Sequence, residues 1–341
     1  LPFTRSSDSG CLSFNEDLYR AYLTANTQYA DRVFEHLNSD EDLVLIHDYH
    51  LFALPTILRR KSPRARIGFF LHTPFPTSEL FRAIPVREEL LRALLNADLV
   101  GFQNYDYGCH FISACSTLLG ITSRAHGDYI CIDYFGRAVV VNILSVGVDM
   151  VRLREVLSSP ETAAKAKEVA TKFAGRQVLI GVDDVDLFNR IDVKLLAMER
   201  LLESRPELIG QVVLVQINNP ARSPGRDTAD TVLAEVQLLM DRINARFAKP
   251  GYDPIVMIDD PLTMHEKLAF YTSADICIVT AVRDGLNRTP YIYTVCRQEG
   301  PISSGVVGAP KEGAIVLSEF VGCATSLGGA VHINPWNVDA V

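Results

Sequence analysis

"QVLIGVDDVDLFNR", residues 177–190, begins with an apolar run and ends in a polar turn. The run does not alternate between apolar and polar residues, so it predicts a strand buried on both faces, as in a parallel sheet between helices. "KLLAMERLLES" (194–204) follows with the 3.6-residue spacing of a covering helix. The turn itself raises a chemical question. "GVDDVDLFNR" (181–190) holds Asp183, Asp184 and Asp186 against one basic residue, Arg190.

The same strand-then-helix unit recurs outward from this point. Downstream lie "QVVLVQIN" (211–218), "PIVMID" (254–259), "DICIVT" (275–280), "AIVLSE" (314–319) and "AVHIN" (330–334), with helical patterns at 231–247 and 264–274. Upstream, "DLVLIHD" (42–48), "RIGFFLH" (66–72), "ADLVGF" (97–102) and "AVVVNILSVG" (138–147) form an earlier series. Between the second and third of these, "EELLRALL" (88–95) places Leu90, Leu91, Leu94 and Leu95 on one stripe. A polar helical stretch, 151–173, follows Asp149. The pattern predicts an α/β chain of two Rossmann-like doubly wound parallel-sheet domains, 1–147 and 148–341, facing a cleft. Ligands bind such folds beyond the carboxyl ends of the strands. "RQEGPISSGVVGAPKEG" (297–313), rich in Gly, Ser and Pro, reads as a surface loop.

With 341 residues the chain is long enough for two cores, and 22% charged residues is an ordinary globular composition. A formal net charge of −8 leaves no basic excess for a nucleic-acid backbone. No apolar run approaches the roughly 20 residues that span a bilayer, so neither nucleic acid nor membrane is an expected partner. The opening "LPFTRSSDSG" has no signal-peptide layout and reads as the interior of a longer protein. The seven cysteines (11, 109, 115, 131, 277, 296 and 323) show no C-x-x-C pair. They read as reduced core residues of an intracellular, cytoplasmic protein, with no metal site.

Two stretches at strand ends carry candidate chemistry. In "HDYH" (47–50), His47 and His50 have a spacing open to metal ligation, while Asp48 is equally placed to cap the helix that follows. In "GFFLHTPFPTSELF" (68–81), His72 ends a strand and Pro74 and Pro76 stiffen the turn behind it. That layout suits either ligand positioning or a histidine satisfied by backbone.

"HDYHL", "GFFLHTPFPTSELFRAIPVREELL", "DLVGFQNYDYGCHF", "GVDDVDLF", "QINNPARSPG", "AVRDGLN" and "LSEFVGCATSLGGAVHINPWNVDAV" occur in this order. Together they resemble the trehalose-6-phosphate synthase family over nearly the whole chain, most of all its plant class II branch. There a synthase-like domain precedes a phosphatase-like one. The resemblance implies the GT-B architecture of two Rossmann domains, 1–147 on the acceptor side and incomplete at its start, 148–341 on the nucleotide-sugar side and incomplete at its end. It implies retaining transfer of glucose from UDP-glucose to glucose 6-phosphate with no metal and no cofactor besides the UDP-glucose or UDP ligand. Carried over residue by residue, Asp48 stands near the reacting sugar and His72 at the donor sugar. Arg222 stands at the acceptor phosphate. Asp284, Gly285, Leu286, Asn287 and Arg288 form the donor-binding loop.

The resemblance also marks departures. Active members read G-V-D-R-x-D-x-x-K-G at the turn, with Arg and Lys on the diphosphate; here those places are Asp184 and Asn189, and Arg190 replaces the glycine. The ribose-gripping Glu of D-G-M-N-L-V-x-x-E is Ile292. Without a metal, a leaving diphosphate must be met by cations and fixed dipoles, and losing one preorganised donor costs about 3–4 kcal/mol. A solvated turn is the competing reading for Asp183 and Asp186. Arg190 and Arg288 are new cations that could compensate, although Pro290 removes an N–H from the adjoining helix start. The expectation is a weakly active or inactive synthase homologue with a regulatory role. It would sense glucose 6-phosphate, trehalose 6-phosphate or a related sugar phosphate, or scaffold active synthase subunits and a signalling kinase. The alternatives are an active enzyme with a rewired donor site and an interaction module that binds no sugar.

Overall fold

The computed structural model describes residues 3–5, 12–38, 41–127, 129–220, 226–301 and 313–341. The chain divides into two compact units, Leu1–Val146 and Gly147–Val341.

In the first unit, β1 (Phe3–Arg5) and β2 (Leu12–Phe14) pair antiparallel. The main sheet comprises β3 (Leu43–His47), β4 (Arg66–Leu71), β5 (Leu99–Phe102), β6 (Ser123–His126), β7 (Tyr129–Tyr134) and β8 (Arg137–Ile143). Its order is β3-β4-β5-β8-β7-β6. The first four positions are parallel, but β7 and β6 add an antiparallel meander that the sequence reading did not anticipate. Phe135 and Gly136 join β7 to β8 with φ of 47° and 75°, the two positive values that a type I′ hairpin turn requires.

One core cluster serves this unit. It gathers Ile67, Phe69 and Leu71 of β4, Val100 and Phe102 of β5, and Leu90, Leu91 and Leu94 of the helix Arg87–Leu94. The other sheet face carries Leu43 and Leu45 exposed, so the expected cover on both faces is not met among the described residues.

The second unit holds β9 (Gln177–Asp184), β10 (Val212–Asn219), β11 (Ile255–Ile258), β12 (Ile276–Val279), β13 (Ala314–Ser318) and β14 (Val331–Ile333). The pairings among these six strands are all parallel. The order β11-β10-β9-β12-β13-β14 is the doubly wound 3-2-1-4-5-6 arrangement, which reverses between β9 and β12. Here both faces are covered. Val178, Ile180 and Val182 of β9 enter one core cluster, and Leu179 between them enters the other. The continuous apolar run is thus the signature of a strand with helices on each side.

Two expectations need adjustment. The helix Thr289–Glu299 runs into the stretch read as loop, because Arg297 is buried and its Nη1 donates to Thr272 O at 3.0 Å. Residues 302–312 of that stretch lie outside the described residues. Of the cysteines, Cys115, Cys277, Cys296 and Cys323 are buried, and burial pushes each thiol up to about 12. Cys109 and Cys131 are half-buried, and Cys11 lies outside the described residues.

Candidate functional site

In the first unit the polar residues gather at the carboxyl ends of β3, β4 and β5. Asp48 sits just past β3 with φ 67° and ψ 170°, a region sparsely populated outside glycine and costing of order 1–3 kcal/mol. Hydrogen bonds from three directions hold it there, besides the turn bond from Leu51 N to its carbonyl at 3.2 Å. Its backbone N–H donates to Phe70 O at 2.8 Å, and its Oδ1 accepts from Tyr49 N at 3.1 Å and from Thr73 Oγ1 at 3.0 Å. Asp48 does act as a cap, but of the short 3-10 turn Tyr49–Leu51; the helix expected to follow runs Leu54–Lys61 and has Ala53 at its cap.

His72 follows β4. The loop behind it is pinned by Phe75, whose ring stacks on Phe81 at 5.0 Å and meets Phe111 edge-on at 5.5 Å. The prolines limit the backbone and Phe75 anchors it. His72 Nε2 lies 3.0 Å from His47 Nδ1, and its Nδ1 lies 3.4 Å from Gln103 Nε2. Burial lowers the imidazole below its ordinary range, with the neighbouring His47 adding to that shift and Asp48 opposing it. His50 takes no part; its ring packs on Tyr49 at 4.1 Å between centroids. Among the described residues no group of three or more His, Cys, Asp or Glu side chains converges as a metal site.

In the second unit the turn after β9 answers the question of its acids residue by residue. Asp183 is 4% exposed and Lys194, one turn into the helix Ile191–Ser204, is 1% exposed; they form a buried ion pair. Gln216 of β10 donates to the same carboxylate at 2.9 Å. Gly181 makes the pairing possible, since a Cβ there would stand 2.3 Å from Gln216 Oε1 and 2.8 Å from Lys194 Nζ. The solvated reading of Asp183 is therefore wrong. Asp186 does build the turn, its Oδ1 accepting from Phe188 N and Asn189 N at 2.8 Å each. Burial raises its carboxyl while those two N–H groups pull it down. Asp184, half-buried, ends β9, and Asn189 Nδ2 donates to its carbonyl at 3.0 Å.

This turn is laced to the loop after β12, across the point where the strand order reverses. Thr280 Oγ1 donates to the carbonyls of Asn189 and Arg190 at 3.1 and 3.0 Å, and Val282 N donates to Phe188 O at 2.8 Å. Arg190 holds φ 49° and ψ 53°. Its guanidinium grips Asp192 through two nitrogens at 2.9 Å and lies 4.8 Å over the Trp336 ring. Asp284 Oδ1 accepts from Gly322 N at 2.8 Å, and Asn287 accepts from Thr289 N at 3.0 Å, which starts the next helix. Arg288 is exposed at the cap of that helix, and Ile292 packs against the core. Gly285 and Leu286 are half-buried in the same loop.

A model of glycosyltransferase family 20 matches residues 6–341. The chain belongs to glycosyltransferase family 20. It is 49% identical over 332 residues to alpha,alpha-trehalose-phosphate synthase [UDP-forming] 5 of Arabidopsis thaliana, covering 96% of this chain and 38% of that protein. It is 39% identical over 332 residues to the corresponding synthase A of Dictyostelium discoideum, covering 97% of this chain and 43% of that one. Among solved structures, a synthase of Burkholderia xenovorans in complex with glucose-6-phosphate superposes with TM-score 0.87 at 27% identity, over 96% of this chain and 70% of that one. A protein of E. coli bound with UDP-2-fluoro glucose superposes with TM-score 0.85 at 26% identity, over 96% and 69%. The chain thus spans about two fifths of those curated relatives. It is a trehalose-phosphate synthase-like glycosyltransferase domain with the two-sheet GT-B fold.

Within this family 20 domain, Asp48 and His72 share one constellation, and the Asp184, Asn189 and Asp284–Arg288 positions share another. Arg222 lies outside the described residues. Sequence reasoning missed Gln103, which is buried at 4% exposure, as well as Lys194 and Trp336. Lys194 falls on the stripe of Ile191, Leu195 and Met198, but a lysine in the first turn of such a helix does not by itself signal burial.

Asp284 carries a measurable consequence. Its Oδ2 is shut from solvent, and burial pushes the carboxyl up to about 6 against the Gly322 N–H. A carboxyl raised in the folded state gives stability that is complete below its ordinary value near 3.8 and is lost as pH rises through about 6. Unfolding free energy is expected to fall by on the order of 3 kcal/mol between about pH 4 and 7. Asp284→Asn keeps the Gly322 contact and should flatten that slope in urea titrations. An unchanged slope would place the burden on other groups.

Proposed function

We propose that this domain is impaired as a synthase and acts by binding a sugar phosphate, so that it senses glucose 6-phosphate or trehalose 6-phosphate or scaffolds active synthase subunits and a signalling kinase. The observation that carries the reading is the state of the cations beside the turn. Lys194 is consumed by Asp183, and Arg190 is held by Asp192 and Trp336. A departing diphosphate there meets Asp184 where an active member presents an arginine, and each preorganised donor lost costs about 3–4 kcal/mol.

Support for retained sugar binding comes from the unit that holds Asp48 and His72, whose strained backbone and hydrogen-bonded imidazoles are ordered by several elements at once. The solved relative in complex with glucose-6-phosphate shares the fold. Calorimetric titration of the full polypeptide with UDP-glucose, UDP, glucose 6-phosphate and trehalose 6-phosphate tests the proposal. A sugar phosphate is expected to bind, and UDP-glucose weakly with no turnover. Tight UDP-glucose binding with UDP release would reverse it, and no heat with any ligand would leave an interaction module.

The exposure of Arg288 at the helix start favours a second reading, an active enzyme with a rewired donor site. In that case UDP release is measurable and Arg288→Ala abolishes it.

A further inference from the structure

Gln103 lies just beyond β5, is 4% exposed, and has its amide orientation fixed by the backbone. Val146 N, which can only donate, bonds to Gln103 Oε1 at 3.0 Å. Ser145 Oγ fastens the same residue by donating to Gln103 O at 2.7 Å. With Oε1 committed, the amide turns its NH2 toward His72 Nδ1, 3.4 Å away. An NH2 group is a donor with no acceptor function, so the ring nitrogen it faces must carry a lone pair. The proton of His72 then sits on Nε2. That N–H points at His47 Nδ1 at 3.0 Å, so His47 Nδ1 is the acceptor and the proton of His47 sits on its own Nε2.

We infer that Gln103 is a positioning residue that fixes the tautomers of the His72–His47 pair, so that the group this pair offers to a ligand is the Nε2–H of exposed His47. The recognition chemistry follows. An N–H donor meets oxygen lone pairs, those of a sugar hydroxyl or a phosphate, and in the ligand-free state both nitrogens of His72 are engaged. That functional consequence rests on the sugar-site reading above; the tautomer does not.

Protonating His72 sets a second N–H against the Gln103 NH2, a donor facing a donor. The charged and titratable groups around the ring are Asp48 from the β3 turn, which favours the cation, and His47, which opposes it. Thr73 bonds to Asp48, and His110 on the helix Tyr105–Leu119 is turned away to Phe75 O at 3.1 Å. Gln103→Glu keeps an oxygen for Val146 N and replaces the NH2 with an acceptor, so it should invert the arrangement.

Long-range nitrogen–proton correlation spectra of the ligand-free full polypeptide read the tautomer of each imidazole directly, with the eight histidines assigned by single substitution. In the wild type His72 is expected as the Nε2–H tautomer alone. In Gln103→Glu its Nδ1 should become protonated, and its titration midpoint should rise by about one pH unit or more. An Nδ1–H tautomer in the wild type, or an unmoved midpoint in Gln103→Glu, overturns the inference. Should Gln103→Glu not fold, Gln103→Leu answers the same question: the second tautomer should appear, and a pure Nε2–H form would overturn the role. Glucose 6-phosphate added to the wild-type sample separates this inference from the proposed function. A silent His47 with the expected tautomers in place counts against the sugar site alone, and the wrong tautomer counts against Gln103 alone.

Discussion

Lys194→Met is expected to lower the unfolding free energy of the Gly147–Val341 unit by about 3–5 kcal/mol, the usual loss when one partner of a buried ion pair is removed. Asp183 cannot relax into solvent, because it lies within the central strand β9, paired with Asn218 of β10, and is 4% exposed. Its remaining donor is Gln216, whose Nε2 also faces Asn218 Oδ1 at 3.1 Å. Neutralising the acid as well should recover most of the loss, since a buried pair replaced by neutral groups of like size is often close to neutral in stability. Lys194→Met, Asp183→Asn and Asp183→Asn/Lys194→Met, each compared with the parent by urea unfolding followed by circular dichroism, give the coupling. A single variant losing less than about 1 kcal/mol, or a double variant no better than the single, would show that the pair is not what fixes the turn. The resembling pattern of active synthases also has an acid at the Asp183 place, and the ion pair supplies a reason independent of any ligand. Asp183 is the counter-ion of a buried lysine, so its charge is cancelled before a substrate arrives. Asp184 is the acid on which the proposed impairment rests.

The second unit was legible because its strands are continuous apolar runs, each bounded by a turn and a helix. Val178–Val182 needed no other information than its lack of alternation. The β6–β7 meander was hidden for the opposite reason: Ser123–His126 is exposed throughout, so it has no pattern of burial to leave in the sequence. The turn leading into β8 puts Phe135 at positive φ, where Asn or Gly is the usual sign. At the site, strand-end His72 and capping Asp48 could be read from their neighbours. Lys194 could not, since a lysine opening an amphipathic helix is ordinarily solvated, and only Asp183 two strand positions beyond Gly181 makes burial tolerable. Gln103 falls inside the stretch "DLVGFQNYDYGCHF", but nothing in its neighbours along the chain marks its role. Its meaning arises from Val146 and His72, which lie 43 and 31 residues away.

Restoring the resembling pattern with Asp184→Arg, Asn189→Lys and Ile292→Glu together is expected to tighten UDP-glucose binding about 100-fold. Each hydrogen bond to a charged group contributes roughly 1.5–3 kcal/mol, and half the sum of three brackets the roughly 2.7 kcal/mol that 100-fold requires. The folded state resists two of the changes. Asn189→Lys gives up the bond to the Asp184 carbonyl at 3.0 Å, a loss of about 1 kcal/mol. Ile292→Glu sets a carboxylate against the core cluster of the second unit, which costs about 1–3 kcal/mol until a ribose hydroxyl satisfies it. The triple variant should therefore melt below the parent when empty and gain more thermal stability from UDP-glucose than the parent does. Uridine is the control: the two cations act on phosphate, so affinity for UDP and UDP-glucose should rise well beyond the gain for uridine, which reports the Ile292→Glu change alone. Equal gains for all three ligands, or none, would mean that the missing positive charge is not what separates this domain from an active donor site. Arg190 would then have to be freed from Asp192 before the turn could hold a diphosphate at all.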